Sequence, residues 1–247
     1  MASAREIHIE GTGTDPAQRA QAALWHYNAE VRADLAAKVV LTTELDLSVT
    51  DRERAQEALV EYCSDHLLGH TAATDRAIYA VAAGAAETRL LVRALRAHHR
   101  LIADRIADLD HASGAAEVAA AAHAIGAVLG ACHLIEREVL VPTLASLPGV
   151  ELPELVHDVI ILVGGGTLDV PDVLDVREIP HGRRHPRIFG IFARLSTGQS
   201  FVLVNNHDPK PLRREFEATF AGQFGWDYLE TGPDRWQVRI GCLARGA

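Results

Sequence analysis

Cysteine is scarce: three residues in 247, Cys63, Cys132 and Cys242, none with a partner at short spacing. That excludes a zinc finger, a CxxC redox motif and a disulfide scaffold, and it suits a reducing compartment. Long apolar runs are also missing. The longest, Val159–Val163, stops at Gly164-Gly-Gly166, well short of the roughly 18 residues of a membrane span. The opening Met-Ala-Ser-Ala-Arg-Glu lacks the apolar core of a signal peptide, so the expectation is a cytoplasmic chain with no membrane partner. No Gly-x-Ser-x-Gly or Ser-His-Asp arrangement occurs. Gly11-Thr-Gly13 and Gly164-Gly-Gly166 lack the spacing and lysine of a phosphate loop. Nor is there an excess of basic charge: 24 Lys and Arg stand against 33 Asp and Glu, a net −9, which argues against nucleic acid.

What is present is ordinary for a globular chain, 48% hydrophobic and 23% charged, at a length that favours two domains. The two ends differ. Residues 172–247 carry 11 basic and 9 acidic side chains, and residues 1–171 carry 13 and 24. All six phenylalanines lie at or after Phe189, and ten of the thirteen histidines lie before residue 172. Two different cores are implied, over 1–165 and 173–247, with a linker at 166–172.

The first part is alanine-rich with helical periodicity. Asp15-Pro16 is a helix start, and the apolar stripe that follows is Leu24, Val31, Leu35 and Val39, with Asn28 in register. A second helix opens at Thr50 or Asp51 on Leu59, Cys63, His66, His70, Thr74 and Ile78. A third, from about Glu87 to Asp110, uses Leu91, Leu95, His98 or His99, Ile102 and Ile106. A fourth follows Ser113-Gly114 on Val118, Ile125, Leu129, Cys132, Glu136 and Val139, and a short helix over Leu152–Val163 closes the set. Four long amphipathic helices with short connections predict an up-down bundle. From Val173 the period changes, and the order β-α-β-α-β-β predicts a small two-layer sandwich: strands at Val173–Val176, Phe201–Val204, Trp226–Leu229 and Trp236–Ile240, helices at Pro186–Leu195 and Pro211–Phe220.

The chemistry lies in the polar residues on the inward stripes. Asn28, His66, His70, Thr74, His98 or His99, Cys132 and Glu136 come from four helices at comparable depth. Burying such groups unpaired costs a few kcal/mol each, so partners, a metal or a solvated cavity are required.

The stretches His66-Leu-Leu-Gly-His70-Thr-Ala-Ala-Thr-Asp75 with Tyr79, Arg89-Leu-Leu-Val92 with His98-His99-Arg100, and Cys132-His-Leu-Ile-Glu136-Arg-Glu-Val-Leu-Val-Pro142 resemble the hemerythrin-like (HHE cation-binding) family over roughly residues 15–165. The resemblance implies a four-helix bundle around a non-haem, usually dinuclear iron centre. His70, His99 and Glu136 fall on ligand positions. Thr74, Cys132 and Asn28 stand where the family has further ligands, and His98 where it often has a carboxylate. His66 lies one turn before His70. His26 and His133 sit nearby, but a neighbour at i+1 on a straight helix points about 100° away. They join the site only if the helix is wound differently there. Two imidazoles and a carboxylate suit one non-haem ferrous ion with open positions.

The C-terminal part, through Leu174-Asp-Val-Arg177 with Pro180, Asn205-Asn-His-Asp-Pro-Lys-Pro211 and Trp236-Gln-Val-Arg-Ile240, is similar to a TusA/SirA-like family of unknown function. Ile179-Pro180 stands where true TusA proteins have Cys-Pro, so persulfide transfer is not expected. His207 and Lys210 read either as a capped turn or as an anion or partner contact.

The expectation is thus an iron protein, mono- or dinuclear, that binds or activates oxygen or nitric oxide, with an oxygen-dependent oxidase as its enzymatic form. A non-catalytic sensing or interaction module and a haem-binding bundle are the alternatives. A small-molecule substrate, a protein partner met through the C-terminal part, and a homodimer stay open.

Overall fold

The computed structural model describes residues 15–43 and 48–244. The opening Met-Ala-Ser-Ala-Arg-Glu and Gly11-Thr-Gly13 lie outside the described residues. Helix α1 (Pro16–Thr43) starts where Asp15 accepts the Ala17 N–H at 3.0 Å, and it buries Leu24, Asn28, Val31, Leu35 and Val39. Helix α2 occupies residues 49–83; Ser48 caps it by accepting the Asp51 N–H at 3.2 Å. Two stretches of α2, Tyr62–Leu67 and Asp75–Tyr79, are wound as π-helix. Helix α3 (Ala86–His111) is followed by Gly114, whose φ of +88° makes the turn into α4 (Ala115–Ser146). A third π turn, Glu136–Leu140, interrupts α4. Helix α5 is Leu152–Val163. Helix α1 packs on α2, α4 and α5, while α3 lies along α4.

The π turns move the inward face. A π turn takes more residues than an α turn, so the stripe advances by one position. In α2 the buried residue after Cys63 is Leu67, and His66 turns outward. In α4 Leu140 is buried and Val139 is 49% exposed, against the expected stripe. Among the described residues α4 alone is long and apolar enough to cross a membrane by length and composition, a property that the search for unbroken apolar runs did not register.

Strand β1 (Val173–Asp175) leads to α6 (His181–Arg194), β2 (Ser200–Asn205), α7 (Lys210–Thr219), β3 (Phe224–Thr231) and β4 (Trp236–Cys242). The sheet order is β1-β2-β4-β3, with β1 parallel to β2 and the other neighbours antiparallel. The chain is therefore a helical region followed by a small mixed four-stranded sheet carrying two helices. Helix α6 begins five residues before the expected Pro186. Proline most favours the first turn, yet here it sits one turn further in, where the N–H it lacks would have bonded to Gly182.

The two parts share one core. The end of α2 packs on α6, and Arg76 donates Nε–H to the Ala193 carbonyl at 2.7 Å, near the C-terminus of α6. Arg194 pairs with Asp158 of α5 at 2.7 Å. A Cβ on Gly84 would meet Phe189 Cγ at 3.1 Å and the His185 carbonyl at 3.2 Å. Gly84→Val is expected to destabilise the protein by about 1–3 kcal/mol, because backbone and a clustered ring leave the new methyls nowhere to go. A thermal melt of the variant beside the parent checks it, and an unchanged midpoint would refute this reading of the contact.

Candidate functional site

Four helices deliver polar side chains to one buried place. Asn28 comes from α1, His70, Thr74 and Tyr79 from α2, His99 from α3, and Cys132, His133 and Glu136 from α4. Asn28, His70, Thr74, Tyr79, Cys132, His133 and Glu136 are all buried, and His99 partly so. Their hydrogen bonds divide them into two strings. In the first, Tyr79 donates its hydroxyl to Glu136 Oε1 in a very short bond, and Asn28 Nδ2 donates to Glu136 Oε2 at 3.3 Å. His99 Nε2 lies 3.2 Å from the Tyr79 hydroxyl, with the two rings stacked at 5.0 Å. The tyrosine's one hydrogen goes to the carboxylate, so His99 supplies the hydrogen in that contact.

The second string joins His70 and His133, Nε2 to Nε2, at 3.0 Å with the rings perpendicular. Tyr27 of α1 meets His70 edge-on at 5.3 Å. Four polar atoms here are buried with no partner: Asn28 Oδ1, His70 Nδ1, Thr74 Oγ1 and His133 Nδ1. Buried polar groups are nearly always bonded. Four orphans in one cluster mark a place built for something more than packing.

Burial sets the charges. It pushes Glu136 up to about 7, the Tyr79 and Asn28 donors pulling the other way. It lowers His70 to about 4, helped by nearby His99, and His99 likewise to about 4. His133 falls to about 2, through burial first and then His70 and Arg32. Burial raises the Cys132 thiol to about 12 and Tyr79 well above its ordinary value. At neutral pH the imidazoles are neutral, the form in which histidine binds metals. Cys132 stays a thiol at neutral pH in the absence of a metal.

Nitrogens held cis at about the 2.1 Å of a zinc–imidazole bond lie roughly 3.0 Å apart, which is the His70–His133 spacing. Glu136 supplies negative charge with only neutral donors around it, and buried charges are normally paired or metal-bound. Among the described residues no group of three or more His, Cys, Asp or Glu side chains is placed to hold a metal ion, and Tyr79 and Asn28 engage the Glu136 carboxylate.

The other expected residues stand apart. His66 is exposed beside Tyr62, and His26 is exposed and pairs with Glu30 at 3.6 Å. His98 turns back to the Ala94 carbonyl at 2.9 Å. His133 was expected to join the site only where the helix is wound differently, because a neighbour at i+1 points about 100° away. That angle holds, but α4 is covered on two sides by α1 and α3, so adjacent positions are both buried. Tyr79, five residues after Thr74, lies at the end of the π turn Asp75–Tyr79, which the sequence pattern does not show.

A family described as "Uncharacterized conserved protein (DUF2249)" matches residues 173–242. That stretch is a small TusA/SirA-like domain. No curated protein and no solved structure matches the chain. Within this domain His207 is exposed and takes Asn206 Oδ1 at 2.8 Å, and Lys210 pairs with Asp208 at 3.0 Å. Both side chains thus have local partners at the turn into α7.

Proposed function

We propose that residues 1–165 form a hemerythrin-like up-down bundle, joined through 166–172 to a two-layer α/β domain at 173–247. In this reading the bundle holds a single non-haem iron ion that takes a small diatomic ligand, oxygen or nitric oxide. His70 and His133 are the residues that would hold the ion, with Glu136 as the carboxylate once it releases Tyr79. His99 moves from the ligand set to the tyrosine's support. A ferrous ion with open positions binds diatomic ligands and, if it turns over, activates oxygen. The chain's own part is to keep both imidazoles neutral and dry, to hold the Tyr79 proton at Oη facing Glu136 Oε1, and to fix that hydroxyl from behind with His99. The observation that carries the reading is the neutral, buried His70–His133 pair at 3.0 Å within a cluster of orphaned polar atoms.

The test is metal content and optical spectrum on protein purified without oxygen. The expected result is close to one iron per chain with weak near-ultraviolet bands that respond to oxygen. His70→Ala and His133→Ala lose the iron, while His66→Ala and His98→Ala keep it. Iron and zinc at trace level would overturn the reading, and a Soret band would replace it with a haem-binding bundle.

A second reading, an interaction or sensing module without catalysis, has one observation in its favour: Glu136 is satisfied by Tyr79 and Asn28 as it stands. It predicts a featureless spectrum, and the same metal content in His70→Ala as in the parent.

A further inference from the structure

The α/β part holds a second cleft, of about 50 Å³, far simpler in chemistry than the bundle cluster. The first residues of α6 line it with His181, Arg184 and His185, and the Asn205-Asn-His-Asp-Pro-Lys-Pro211 motif supplies Asn205 and His207. Among the described residues no acidic side chain lines it. Helix α6 carries four arginines and no Asp or Glu, on a chain of net charge −9. Glu215 pairs with His185 at 3.0 Å and Arg89 at 3.2 Å and stays outside the lining. The side chain that sets the chemistry is Arg184, which is 7% exposed with only neutral partners. Its Nε donates to the Ile179 carbonyl at 2.6 Å, Nη2 to the Arg177 carbonyl at 3.1 Å, and Nη1 to Asn205 Oδ1 at a long 3.5 Å. That Oδ1 also accepts the Asn206 N–H at 3.0 Å. A guanidinium has five N–H donors, so two of them have no acceptor among the described residues. Of the three acceptors only Asn205 lines the cleft, so the Nη1 edge is the one turned toward it.

We infer that this cleft binds a phosphoryl group, as inorganic phosphate or at the end of a small monoester. The group's oxygens meet the Nη1 edge of Arg184 on the inner side. The exposed imidazoles of His181 and His207, with ring centres 6.2 Å apart, flank it at the mouth. A buried charge is normally paired, and the bound anion is the counter-charge that Arg184 lacks. Size supports the assignment. A single water needs roughly 10–15 Å³ of such space, so the cleft admits about four water-sized atoms, the oxygen count of phosphate. Guanidinium suits this anion because its charge-assisted bonds to phosphate oxygens are among the strong ones. The site lies wholly in the α/β part and requires no ion at His70 and His133.

The experiment is calorimetric titration of the full chain, stripped with a chelator, with sodium phosphate, with glycerol 1-phosphate and with sodium acetate, all at one ionic strength. Saturable one-to-one binding of a phosphate probe is expected, and the tighter of the two identifies the source, free ion or monoester. Acetate, with only two oxygens, is expected to bind weaker by roughly tenfold or more. Arg184→Gln is expected to weaken binding roughly tenfold to a hundredfold, the worth of hydrogen bonds from a charged group. Should that buried variant fail to fold, the exposed His181→Ala and His207→Ala carry the test. Each is expected to weaken binding roughly threefold to tenfold, while Arg137→Gln, an exposed arginine on α4, leaves it unchanged. No saturable heat, equal affinity for acetate, or indifference to both histidine changes would overturn the proposal. With the stripped protein, the outcome is independent of whether the iron reading stands.

Discussion

Glu136→Gln is expected to stabilise the chelator-stripped protein at pH 8 by about 3 kcal/mol. Glu136 is 2% exposed, and among the described residues its hydrogen-bond donors are both neutral, the Tyr79 hydroxyl and the Asn28 amide. Burial raises its pKa from 4.5 to about 7. At about 1.36 kcal/mol per pH unit, that difference is worth roughly 3 kcal/mol. The sign is the reverse of the usual paired carboxylate. With the folded value above the unfolded one, the folded state holds a proton that the unfolded state has released. The protein therefore loses stability as pH rises from about 4.5 to about 7, and the deficit is constant above that. Glutamine removes the ionisation while keeping the shape. Its carbonyl still accepts from Tyr79, and its amide finds Asn28 Oδ1, now without a partner, once the Asn28 side chain turns over. Melts of parent and variant at pH 5 and pH 8 check this. At pH 5, half a unit above the unfolded value, the variant melts only a little higher, and at pH 8 it melts higher by roughly 6–12 °C for a chain of this size. A variant less stable at pH 8 would mean that the carboxylate has a cation beside it even in stripped protein.

How legible the site was depended on helix geometry more than on residue type. In α1 the stripe Leu24, Asn28, Val31, Leu35, Val39 is straight α-helix, and every member is buried as the period predicts. The same 3.6-residue count carried through α2 placed His66 inward, because a π turn leaves no mark in a hydrophobic pattern: it changes the number of residues per turn without changing their character. The π segments then cluster where the chemistry is. Tyr79 ends one and Glu136 begins another, and these two residues share a hydrogen bond. His70 and Glu136 stood out because an imidazole and a carboxylate among leucines are visible at any register. His133 was expected to join only if the helix were wound differently, and its burial has another cause. Sequence shows the angle between neighbours on a helix but not how much of its circumference will be covered, and α4 has α1 on one side and α3 on another. Cys132 and His133 are therefore both buried. The α/β part was more readily legible because strand alternation and the two helix stripes obey ordinary periods. Its order β-α-β-α-β-β is the one observed, and the main error was the start of α6.

Phe216→Ala is expected to cost about 3–5 kcal/mol, the usual loss for a fully buried phenylalanine. Phe216 has no exposed surface, and its ring lies 4.7 Å from Phe189, 5.1 Å from Phe192, 5.4 Å from Phe224, 5.6 Å from Phe220 and 5.8 Å from Trp226. Five rings converge on it from α6, from β3 and from the end of α7, so no single neighbour can collapse into the space left behind. The effect of the cavity extends beyond the α/β part, since Phe189 also lies against Gly84 at the end of α2. Arg89 of α3 reaches Glu215, the residue before Phe216, at 3.2 Å, and His185 of α6 meets the same carboxylate at 3.0 Å. These contacts tie the helical region to the very turn of α7 that carries Phe216. The loss should therefore appear as a lower midpoint of one shared transition, seen alike by helical circular dichroism at 222 nm and by tryptophan fluorescence, which reports Trp226 and Trp236 in the sheet as well as Trp25 in α1. Separate transitions, with the fluorescence of the sheet lost while the helical signal persists, would show that the shared core does not couple the two parts and that the charged contacts across it add little.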